Sequence, residues 1–479
     1  MTSLPLYRPL TDHEVRYIDR TGRRILDRVG IQVSDVAFLD KLQAAGARVD
    51  RKKHRVRFTG DWLDERLKHS PSQVSLYSRD GRNDVHLGTG KVHFTNGGRV
   101  FRFRDGRTGH YRYSMLRHVA HTAALVDKLD NISFYVIAAQ AHTVSPEVYH
   151  LNEFFHSMDN TTKHVMGGCD NLDGVTQMWD LACYIAGGEA QLRERPIVSV
   201  IVNPISPLTM DSNMLSVLEF CCTHGIPVTS DPAPIAGATA PATLAGTLAV
   251  MHAEALASVA IAQMFCPGAE VLYGAVPTTM DLRRMDITMG SVEMAMMGSA
   301  AVQLARLYDL PIYASAGVSE AKKPDIQAGT EKAMSTLMIA MAGADCIHLA
   351  AGMLDSANVV SYAQYVIDNE ILGMVFRVLS GIRVDSDTAA FDVIRKVGPG
   401  GNFVMEDHTI EHMMDEFFYP SLSVRCSFDT WVEKGRPDML TRAREVVQSI
   451  LEGKRRGGLL EPDLVSRLRK AFPGIQNAH

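Results

Sequence analysis

The stretch at residues 314–331, ASAGVSEAKKPDIQAGTE, follows the short apolar run 310–313 and precedes a helical pattern that ends near Ala342. A polar loop between a buried strand and a helix is where an α/β barrel places its active site. The loop contains five charged side chains, two glycines and a proline, but no standard catalytic signature. The stretch therefore predicts a barrel whose site binds and positions a ligand rather than attacking it.

The same order of strand, polar loop and helix extends in both directions from this stretch. Short apolar runs predict eight strands, at 132–138, 163–166, 197–202, 226–229, 271–273, 312–314, 346–349 and 402–405. Helical patterns lie between them, for example at 242–265, 291–308, 328–341 and 363–379. Such alternation implies parallel pairing with right-handed crossovers. We therefore predict an α/β fold, a closed (β/α)8 TIM barrel, rather than an open sheet, since no Gly-x-Gly-x-x-Gly follows the first strand.

The regions on either side of the barrel have different patterns. A helical pattern at 12–29, with Asp12 as its N-cap candidate, precedes short β-like runs at 74–77, 85–87, 92–95 and 100–103. Further helical patterns lie at 439–451 and 462–471. We predict an N-terminal α+β layer at 1–113 packed on the barrel, the barrel at 114–420, and a C-terminal helical extension at 421–479.

The composition limits the classes of function. The 479 residues carry a net charge of −5, which argues against binding of a nucleic acid backbone. Seven scattered cysteines without Cys-x-x-Cys spacing are typical of buried thiols in a reducing cytosol. The first nine residues lack a signal pattern and no run of 18 apolar residues occurs, so we expect a soluble cytoplasmic protein without a membrane span. Its size and abundant methionines also lead us to expect a homo-oligomer.

The residues at the predicted strand ends should meet at the mouth of the barrel. They are Gln140, Cys169, Asp170, Asn203, Asp231, Gly274, Ser315, His348 and Glu406. This set has no Ser-His-Asp order, no His-Glu-x-x-His and no cysteine beside a base, so we expect no covalent catalytic residue. Asp170 and Asp231 could each cap the following helix instead. His348 could equally be a core histidine, but its place at a strand end favours a role in binding.

A second group of polar residues raises the alternative of a metal site. Glu406, Asp407, His408, Glu411 and His412 lie within seven residues, and the two histidines would share a helix face. The acidic residues also suit an ordinary helix start, and no second ligand cluster follows. We expect no metal, and keep a metal-assisted barrel lyase or hydrolase using Glu406, His408 and His412 as the alternative.

Aromatic residues near the mouth could hold a cation. The candidates are Phe134, Tyr135, Tyr273, Tyr313, Phe403, Phe417 and Phe418, with Phe94 able to close the site from the N-terminal layer. Alternation along each strand places only about half of them inside the barrel. A quaternary ammonium has no N–H group to donate, so aromatic faces are its natural partners, worth up to about 2 kcal/mol each when desolvated. Ordinary core packing is the competing interpretation for each residue.

Several motifs together carry a resemblance to a known family. They are Asp105-Gly106-Arg107-Thr108-Gly109 with Tyr111-Arg112, the stretch 241–246 with Glu254 and Gln263, the stretch 322–332, Ile347-His348 with Gly352, and the stretch 397–401. In these motifs, over nearly its whole length, the chain resembles the trimethylamine methyltransferase family, particularly the members that lack pyrrolysine. The family implies a (β/α)8 barrel that moves a methyl group from a methylamine to Co(I) of a corrinoid carried by a separate protein.

The resemblance also implies a substrate class. Members with pyrrolysine act on trimethylamine, whereas every position here is a standard residue, and relatives without pyrrolysine resemble methyltransferases for quaternary amines. Glycine betaine is the closest match, giving dimethylglycine and methyl-Co(III) on the partner, and proline betaine, carnitine and γ-butyrobetaine are neighbouring possibilities. No tightly bound cofactor of the chain's own is expected. A betaine-binding protein without transfer activity is a further alternative.

This implication agrees with the sparse site. A quaternary ammonium that loses a methyl group to a nucleophile leaves as a neutral amine, so no general acid is needed. The enzyme must supply positioning and a dry cage. We assign substrate binding to His348, Tyr273, Phe94, Phe403, Asp231, Glu254, Asp325 and Ser315. His348, a loop lysine or backbone N–H groups would meet a substrate carboxylate, whereas Lys322, Asp325 and Glu331 shape the loop.

Overall fold

Eight short parallel strands form the central sheet. In this computed structural model, which describes residues 7–454 and 458–478, they are β1 (His93–Asn96), β2 (Tyr135–Val136), β3 (Val165–Gly168), β4 (Val198–Val202), β5 (Val228–Ser230), β6 (Val271–Ala275), β7 (Ile312–Ser315) and β8 (Cys346–Ala351). Consecutive strands from β2 to β8 pair in parallel, and β1 pairs with β8. A parallel bridge between Thr95 and Phe134 nearly closes the sheet into a barrel. The mixed α/β architecture is therefore confirmed.

One of the eight predicted strands is wrong. Seven lie within a few residues of their predicted positions, but 402–405 contains no strand, and Val404 and Met405 are exposed. The three apolar residues after Asn402 are too short a run for periodicity to distinguish a strand from an exposed turn. The missing place in the sheet is filled by β1, which the sequence assigned to the N-terminal layer. The division at 1–113, 114–420 and 421–479 stays a prediction, with β1 moved to the barrel.

Helices surround the sheet and form the terminal regions. Their bounds are Asp12–Arg28, Val36–Ala44, Gly60–Leu67, Leu116–Lys128, Tyr149–Met158, Leu172–Ala186, Glu189–Glu194, Ser212–His224, Leu244–Phe265, Val292–Arg306, Ile326–Met341, Tyr362–Leu379, Phe391–Val397, Asp407–Glu416, Phe428–Glu433, Met439–Lys454 and Pro462–Ala471. The first helix has Thr11 as its N-cap, not Asp12: Thr11 and Glu14 form a capping box, because each side chain accepts from the other's backbone N–H.

Short strands outside the barrel sheet form four smaller sheets in the described part of the chain. They are Ile31–Val33, Arg48–Asp50, Arg55–Arg57, Val74–Leu76, Val85–Leu87, Arg102–Arg104, Tyr111–Tyr113, Thr209–Met210, Ile235–Ala236, Thr278–Asp281, Asp286–Thr288, Met353–Leu354 and Val359–Val360. The hairpin of Val74–Leu76 and Val85–Leu87 joins the apolar interior of the barrel. It lies at the end where the strands start, because Gly88 donates to Asp345, the residue before β8. That end is therefore filled, and the opposite end carries the polar side chains.

Helix Leu244–Phe265 is long and apolar enough, by length and composition, to cross a membrane. It is mostly buried within the protein, and residues from Thr247 to Gln263 are buried on all sides. A helix that is hydrophobic all round is expected in the core of a large protein. We therefore interpret it as a core helix, packed between the barrel and the N-terminal helix Asp12–Arg28.

Candidate functional site

Strand alternation brings His348 and Ser315 to the inner face of the barrel. Tyr313 and Cys346 are partners across β7 and β8, and both belong to the apolar cluster inside the barrel. Two residues further along, Ser315 pairs with His348 on the same face, near the carboxyl ends of the strands. Both side chains are buried. The structure thus brings together two residues that the sequence placed at the mouth.

The imidazole of His348 is buried without polar partners. Neither ring nitrogen has a hydrogen-bond partner among the described residues. The ring of Tyr313 stacks on it, with 4.7 Å between centroids and 30° between planes. Burial lowers the pKa of His348 to about 3, so the ring is neutral at physiological pH. A neutral imidazole offers one N–H donor and one nitrogen acceptor to a ligand.

Asp231 faces His348 from the residue after β5. Its Oδ2 lies 3.7 Å from Nδ1 of His348, too far for a hydrogen bond. Its Oδ1 is buried and has no partner within the described part of the chain. Burial raises the pKa of Asp231 to about 8, although a backbone hydrogen bond from Ala275 opposes the rise. At neutral pH the carboxyl therefore holds a proton, and the pair carries no net charge.

A glycine makes room for this carboxyl. A Cβ on Gly274, in the neighbouring strand β6, would lie 2.7 Å from Oδ1 of Asp231 and 2.2 Å from the carbonyl oxygen of Ser230. The carbonyl oxygen of Ser230 is a backbone atom and cannot move aside, and the contact with Oδ1 would push the Asp231 side chain away. Any larger residue at 274 would displace Asp231 from its position opposite His348. Gly274, which the sequence placed at the mouth, therefore has a steric role there.

Three more inward side chains have unsatisfied polar atoms. The hydroxyls of Thr229, Tyr313 and Ser315 are buried and have no hydrogen-bond partner in the residues that the structure describes. With Asp231 and His348 they form what we call the inner polar cluster, on β5, β7 and β8. Each unpaired buried polar group costs about 1–3 kcal/mol, so native proteins rarely leave them unpaired without a functional reason. Five neighbouring residues of this kind indicate a site that binds a polar or charged ligand.

Two predicted aromatic site residues point the other way. Phe94 packs edge-on against Phe376 of an outer helix, with centroids 4.9 Å apart. The hydroxyl of Tyr273 lies 2.7 Å from Nδ1 of His252, which in turn contacts Asp19 of the N-terminal helix. Both aromatic side chains lie in the cluster between the sheet and the helices. Their assignment to the cage is wrong, because each lies on the outward phase of its strand.

Two predicted carboxylates hold loops rather than line the inner cluster. Glu254, in the middle of helix Leu244–Phe265, accepts from the backbone N–H of Leu208 at 2.6 Å and from Ser206 Oγ at 2.7 Å. It thereby fixes the loop that follows β4. Burial raises the pKa of Glu254 to about 7. Asp325 caps helix Ile326–Met341 by accepting from the N–H of Ala328.

Phe403 lies outside the barrel. It is 42% exposed in the segment that the sequence took for the eighth strand. The proposed metal ligands lie in the same region: His408 and His412 approach Asp387, whereas Glu406 forms an ion pair with Lys396. Nε2 of His412 lies 3.3 Å from Oδ2 of Asp387, and Nε2 of His408 lies 3.1 Å from the backbone carbonyl oxygen of Asp387. These residues therefore lie outside the barrel, because β1 occupies the place of the strand that would carry them, and the metal-assisted alternative stays a prediction.

The loop at residues 314–331 is tied down by its charged side chains. Glu331 accepts from Ser319 Oγ at 2.5 Å and from the backbone N–H of Glu320 at 3.0 Å. Lys322 forms an ion pair with Asp355 in the loop after β8. These contacts match the structural role that the sequence gave to Lys322 and Glu331.

A buried ion pair joins the loops that follow β7 and β8. Nζ of Lys332 lies 3.0 Å from Oδ2 of Asp368 and also donates to the carbonyl oxygen of Gly317. The same carboxylate oxygen accepts from the N–H of Gly352 at 2.8 Å. Gly317 follows β7, and Gly352 follows β8, so this pair fixes both strand ends that carry the inner polar cluster.

Arg99 is a mouth residue that the sequence did not indicate. It follows β1 in the turn Asn96-Gly97-Gly98-Arg99, and a Cβ on Gly98 would lie 3.7 Å from Nε2 of His348. Its NH1 pairs with Asp170 at 2.8 Å and its Nε lies 3.4 Å from Glu153. Its NH2 is buried and unpaired among the residues described. To predict a place for Arg99 at the mouth, the sequence would have had to assign β1 to the barrel, because Arg99 follows that strand.

The surroundings of Arg99 contain two carboxylates of different character. Glu153 is fully buried, and burial raises its pKa to about 7 although Arg99 opposes the rise. Asp170 is half exposed and also accepts from the hydroxyl of Tyr149, over whose ring Arg99 lies at 4.6 Å. Nearby Cys169 is inert, because burial raises the pKa of its thiol to about 12. The cluster offers a guanidinium edge but no thiolate nucleophile.

Comparison with known proteins gives consistent matches over most of the chain. The sequence model of the family described as trimethylamine methyltransferase (MTTB) matches residues 1–472. The chain is 33% identical to a trimethylamine methyltransferase of Desulfitobacterium hafniense over 92% of its length and 89% of the relative. It is 32% identical to a glycine betaine methyltransferase of the same species, covering 94% of this chain and 93% of that one. A trimethylamine methyltransferase of Methanosarcina barkeri is 34% identical over 92% and 90%.

The fold is also similar to that of a solved structure. The monomethylamine methyltransferase of Methanosarcina barkeri superimposes with a TM-score of 0.51, covering 94% of this chain and 93% of that one at 14% identity. At this identity the similarity concerns the fold alone.

Proposed function

Because the chain belongs to the trimethylamine methyltransferase family, we propose that it transfers a methyl group from a quaternary amine to the Co(I) corrinoid of a partner protein. Glycine betaine is the proposed substrate, and dimethylglycine and methyl-Co(III) on the partner are the products. One relative is named for glycine betaine and others for trimethylamine. The inner polar cluster is the observation that carries the proposal.

The chemistry of the cluster suits a substrate that needs no acid. The methyl group leaves nitrogen without its bonding pair and joins Co(I), which supplies the electron pair, so the amine departs neutral and unprotonated. No proton has to be delivered at that step. The imidazole of His348 is neutral, and the carboxyl of Asp231, with a pKa of about 8, holds its proton at neutral pH. The side chains therefore bind and orient the amine and exclude water.

The ammonium group would be held beside Asp231. A cation within about 4–6 Å lowers the pKa of a carboxyl, so arrival of the substrate would drive the proton from Asp231 and create the counter-charge when it is needed. The ring of Tyr313, which stacks on His348 on the inner face of the barrel, would supply the aromatic contact to the ammonium group. Tyr313 thus takes the cage role that the sequence gave to Tyr273, Phe94 and Phe403.

The substrate carboxylate would be met by Arg99. Its buried NH2 has no partner among the described side chains and backbone groups, and the turn that carries it passes over His348. A guanidinium binds a carboxylate more strongly than a neutral donor does. Lys322 is a weaker candidate, because it is already paired with Asp355 and is largely exposed. An arginine at this place favours betaines over amines that lack a carboxylate.

A substrate panel with a chemical acceptor tests the proposal. The purified chain is mixed with cob(I)alamin under reductant, and methylcobalamin formation is followed by absorbance with glycine betaine, carnitine, proline betaine, γ-butyrobetaine and trimethylamine. We expect kcat/KM for glycine betaine to exceed that for trimethylamine at least tenfold. Turnover of trimethylamine alone would reject the substrate class. Calorimetric binding of glycine betaine without methylation of cobalamin or of any corrinoid protein would favour a binding protein instead.

A further inference from the structure

A continuous part of the chain exposes an unusual amount of apolar surface. Of 33 large apolar side chains exposed in the described residues, 14 lie between residues 382 and 428. We call residues 382–428 the apolar segment. Its exposed members are Ile382, Val384, Phe391, Ile394, Phe403, Val404, Met405, Ile410, Met413, Met414, Phe417, Tyr419, Val424 and Phe428. About a tenth of the sequence thus carries two-fifths of this surface.

The apolar segment has no core of its own. Its two helices, Phe391–Val397 and Asp407–Glu416, contain no buried residue, and Leu422 is the one buried side chain in the segment. It is held by surface ion pairs such as Lys396–Glu406 and by a few tethers to helix Tyr362–Leu379. One tether is Arg377, which donates to the carbonyl oxygen of Glu416 at 3.0 Å. Contacts of this kind fix a path for the chain, but they do not compensate for so much apolar surface in water.

The segment leaves the barrel at the end opposite the site. Helix Tyr362–Leu379 begins beside Gly352, at the carboxyl end of β8, because Ser361 donates to the carbonyl oxygen of Gly352. Further along, Asn369 binds Asn131, which precedes β2 at the end where the strands start. The helix therefore runs away from the mouth, and the apolar segment begins after its last turn.

This position decides between two kinds of partner. The corrinoid protein must bring cobalt to a methyl group beside the inner polar cluster, so it has to approach the carboxyl ends of the strands. The apolar segment starts at the other end. In addition, a segment without a core needs a cover at all times, whereas a methyl acceptor must dissociate between turnovers. Both arguments point away from the corrinoid protein and towards a permanent partner.

We propose that a second copy of this chain covers the apolar segment. At the exposures observed, its 14 side chains leave on the order of 1,500 Å² for contact, against ~800 Å² per partner in a standard stable interface. The set consists of Phe, Tyr, Met, Ile and Val, and permanent homodimer interfaces are more apolar than transient ones. A two-fold axis would pair the segment with the same segment or with the adjacent outer helix of the other copy.

The test uses the full-length protein and a matched pair of substitutions. Val404 and Met405 are 72% and 82% exposed in the segment, and the control Val36 is 56% exposed on helix Val36–Ala44, away from it. Light scattering after size exclusion should give a multiple of the 52.7 kDa chain for the wild type. The double substitution Val404→Asp with Met405→Asp should release single chains at low micromolar concentration, a rise of at least tenfold in the dissociation constant. Val36→Asp should leave the mass unchanged.

The remaining outcomes overturn the proposal. If the wild type has the mass of a single chain, the proposal is rejected. It is also rejected if the segment of such a single chain is shielded from hydrogen exchange by added corrinoid protein, because that protein is then the partner. A double variant that stays oligomeric would place the interface elsewhere. If the double variant does not fold, hydrogen exchange of the wild type decides: amides of 382–428 should exchange faster on dilution to single chains, and unchanged exchange would reject the interface.

Discussion

In the inner polar cluster, five buried side chains keep polar atoms without partners, whereas in the apolar segment 14 large apolar side chains stand in water. The cluster is built on strand ends that a buried ion pair fixes in place. The segment has two short helices without a buried residue, and its one buried side chain is Leu422. Both regions leave groups without partners, and these groups are opposite in kind: buried polar atoms in the cluster and exposed apolar side chains in the segment.

The difference shows how the type of unsatisfied surface identifies the type of partner. Buried polar atoms cost free energy that a small charged ligand can recover inside the barrel. Exposed apolar area costs free energy that is regained when another surface of similar size covers it and removes it from water. Rigidity differs for the same reason: a small ligand needs donors held in advance, whereas an apolar interface forms through many weak contacts.

The largest loss of stability is expected from breaking the buried ion pair that fixes the strand ends of the inner polar cluster. Lys332→Met leaves the carboxylate of Asp368 buried without its cation, which we expect to cost about 3–5 kcal/mol in the free energy of unfolding. Chemical denaturation measures this value. The control Lys323→Met removes an exposed lysine from the same loop and should change stability by less than about 0.5 kcal/mol. A loss below about 1 kcal/mol for Lys332→Met would contradict a fixed cluster.

The next effect separates binding from stability within the inner polar cluster. Asp231→Asn should lower kcat/KM for glycine betaine about 100-fold, equivalent to about 2.7 kcal/mol, because the amide cannot become the counter-charge. The cobalamin assay measures the loss.

The same substitution should stabilise the protein at alkaline pH. The pKa of Asp231 is raised to about 8 from a usual value of 3.8. Its contribution to stability is therefore fully present below pH 4 and is lost as pH rises through 8, when the buried group ionises. Asparagine has no such loss, so the Tm difference between variant and wild type should grow from pH 5 to pH 9. A constant difference would show that Asp231 does not titrate in this way.

A third effect is the pH dependence of substrate binding. Binding of the cation requires ionised Asp231. Below about pH 8, the Kd for glycine betaine should therefore fall up to tenfold for each unit by which the pH is raised, or about 1.4 kcal/mol per unit. Calorimetry at several pH values measures it, and buffers of different ionisation enthalpy should report release of one proton. Asp231→Asn serves as the control and should show a flat profile.

The smallest effects come from a matched pair of tyrosines, both fully buried. Tyr313→Phe removes an unpaired inward hydroxyl and should weaken substrate binding severalfold without loss of stability. Tyr273→Phe removes the partner of His252 and should cost about 1–2 kcal/mol of stability without changing kcat/KM. Denaturation and the cobalamin assay on both variants give the comparison, and equal behaviour of the two would remove the distinction between inner and outer faces.

The sequence predicted the barrel and the main residues of the site where local patterns extend far enough. His348 and Ser315 were located because β7 and β8 are continuous apolar runs with polar loops directly after them. Asp231 was located for the same reason, although helix capping was an equal interpretation. The family resemblance added the chemistry that these residues alone did not specify.

The errors have physical causes as well. Phe94 and Tyr273 were assigned to the site because the inward phase of a buried strand cannot be read when both faces are apolar. The run at 402–405 has strand composition but no neighbouring strand, and β1 was hidden among short β-like runs of the N-terminal region. Arg99 was missed as a consequence, since only a barrel strand before it gives this residue a place at the mouth.

The pairing of β1 with β8 has a consequence for synthesis of the chain. Phe94 of β1 pairs with Ile347 of β8, about 250 positions later in the chain. Of the barrel strands, β1 is therefore synthesised first and must wait longest for this partner. At ~5–20 residues per second, the ribosome needs on the order of 10–50 s between them. During that time β1 and the growing sheet present open edges. Chaperone dependence and aggregation during expression should therefore respond to translation speed between these two strands more than to changes in the terminal helices.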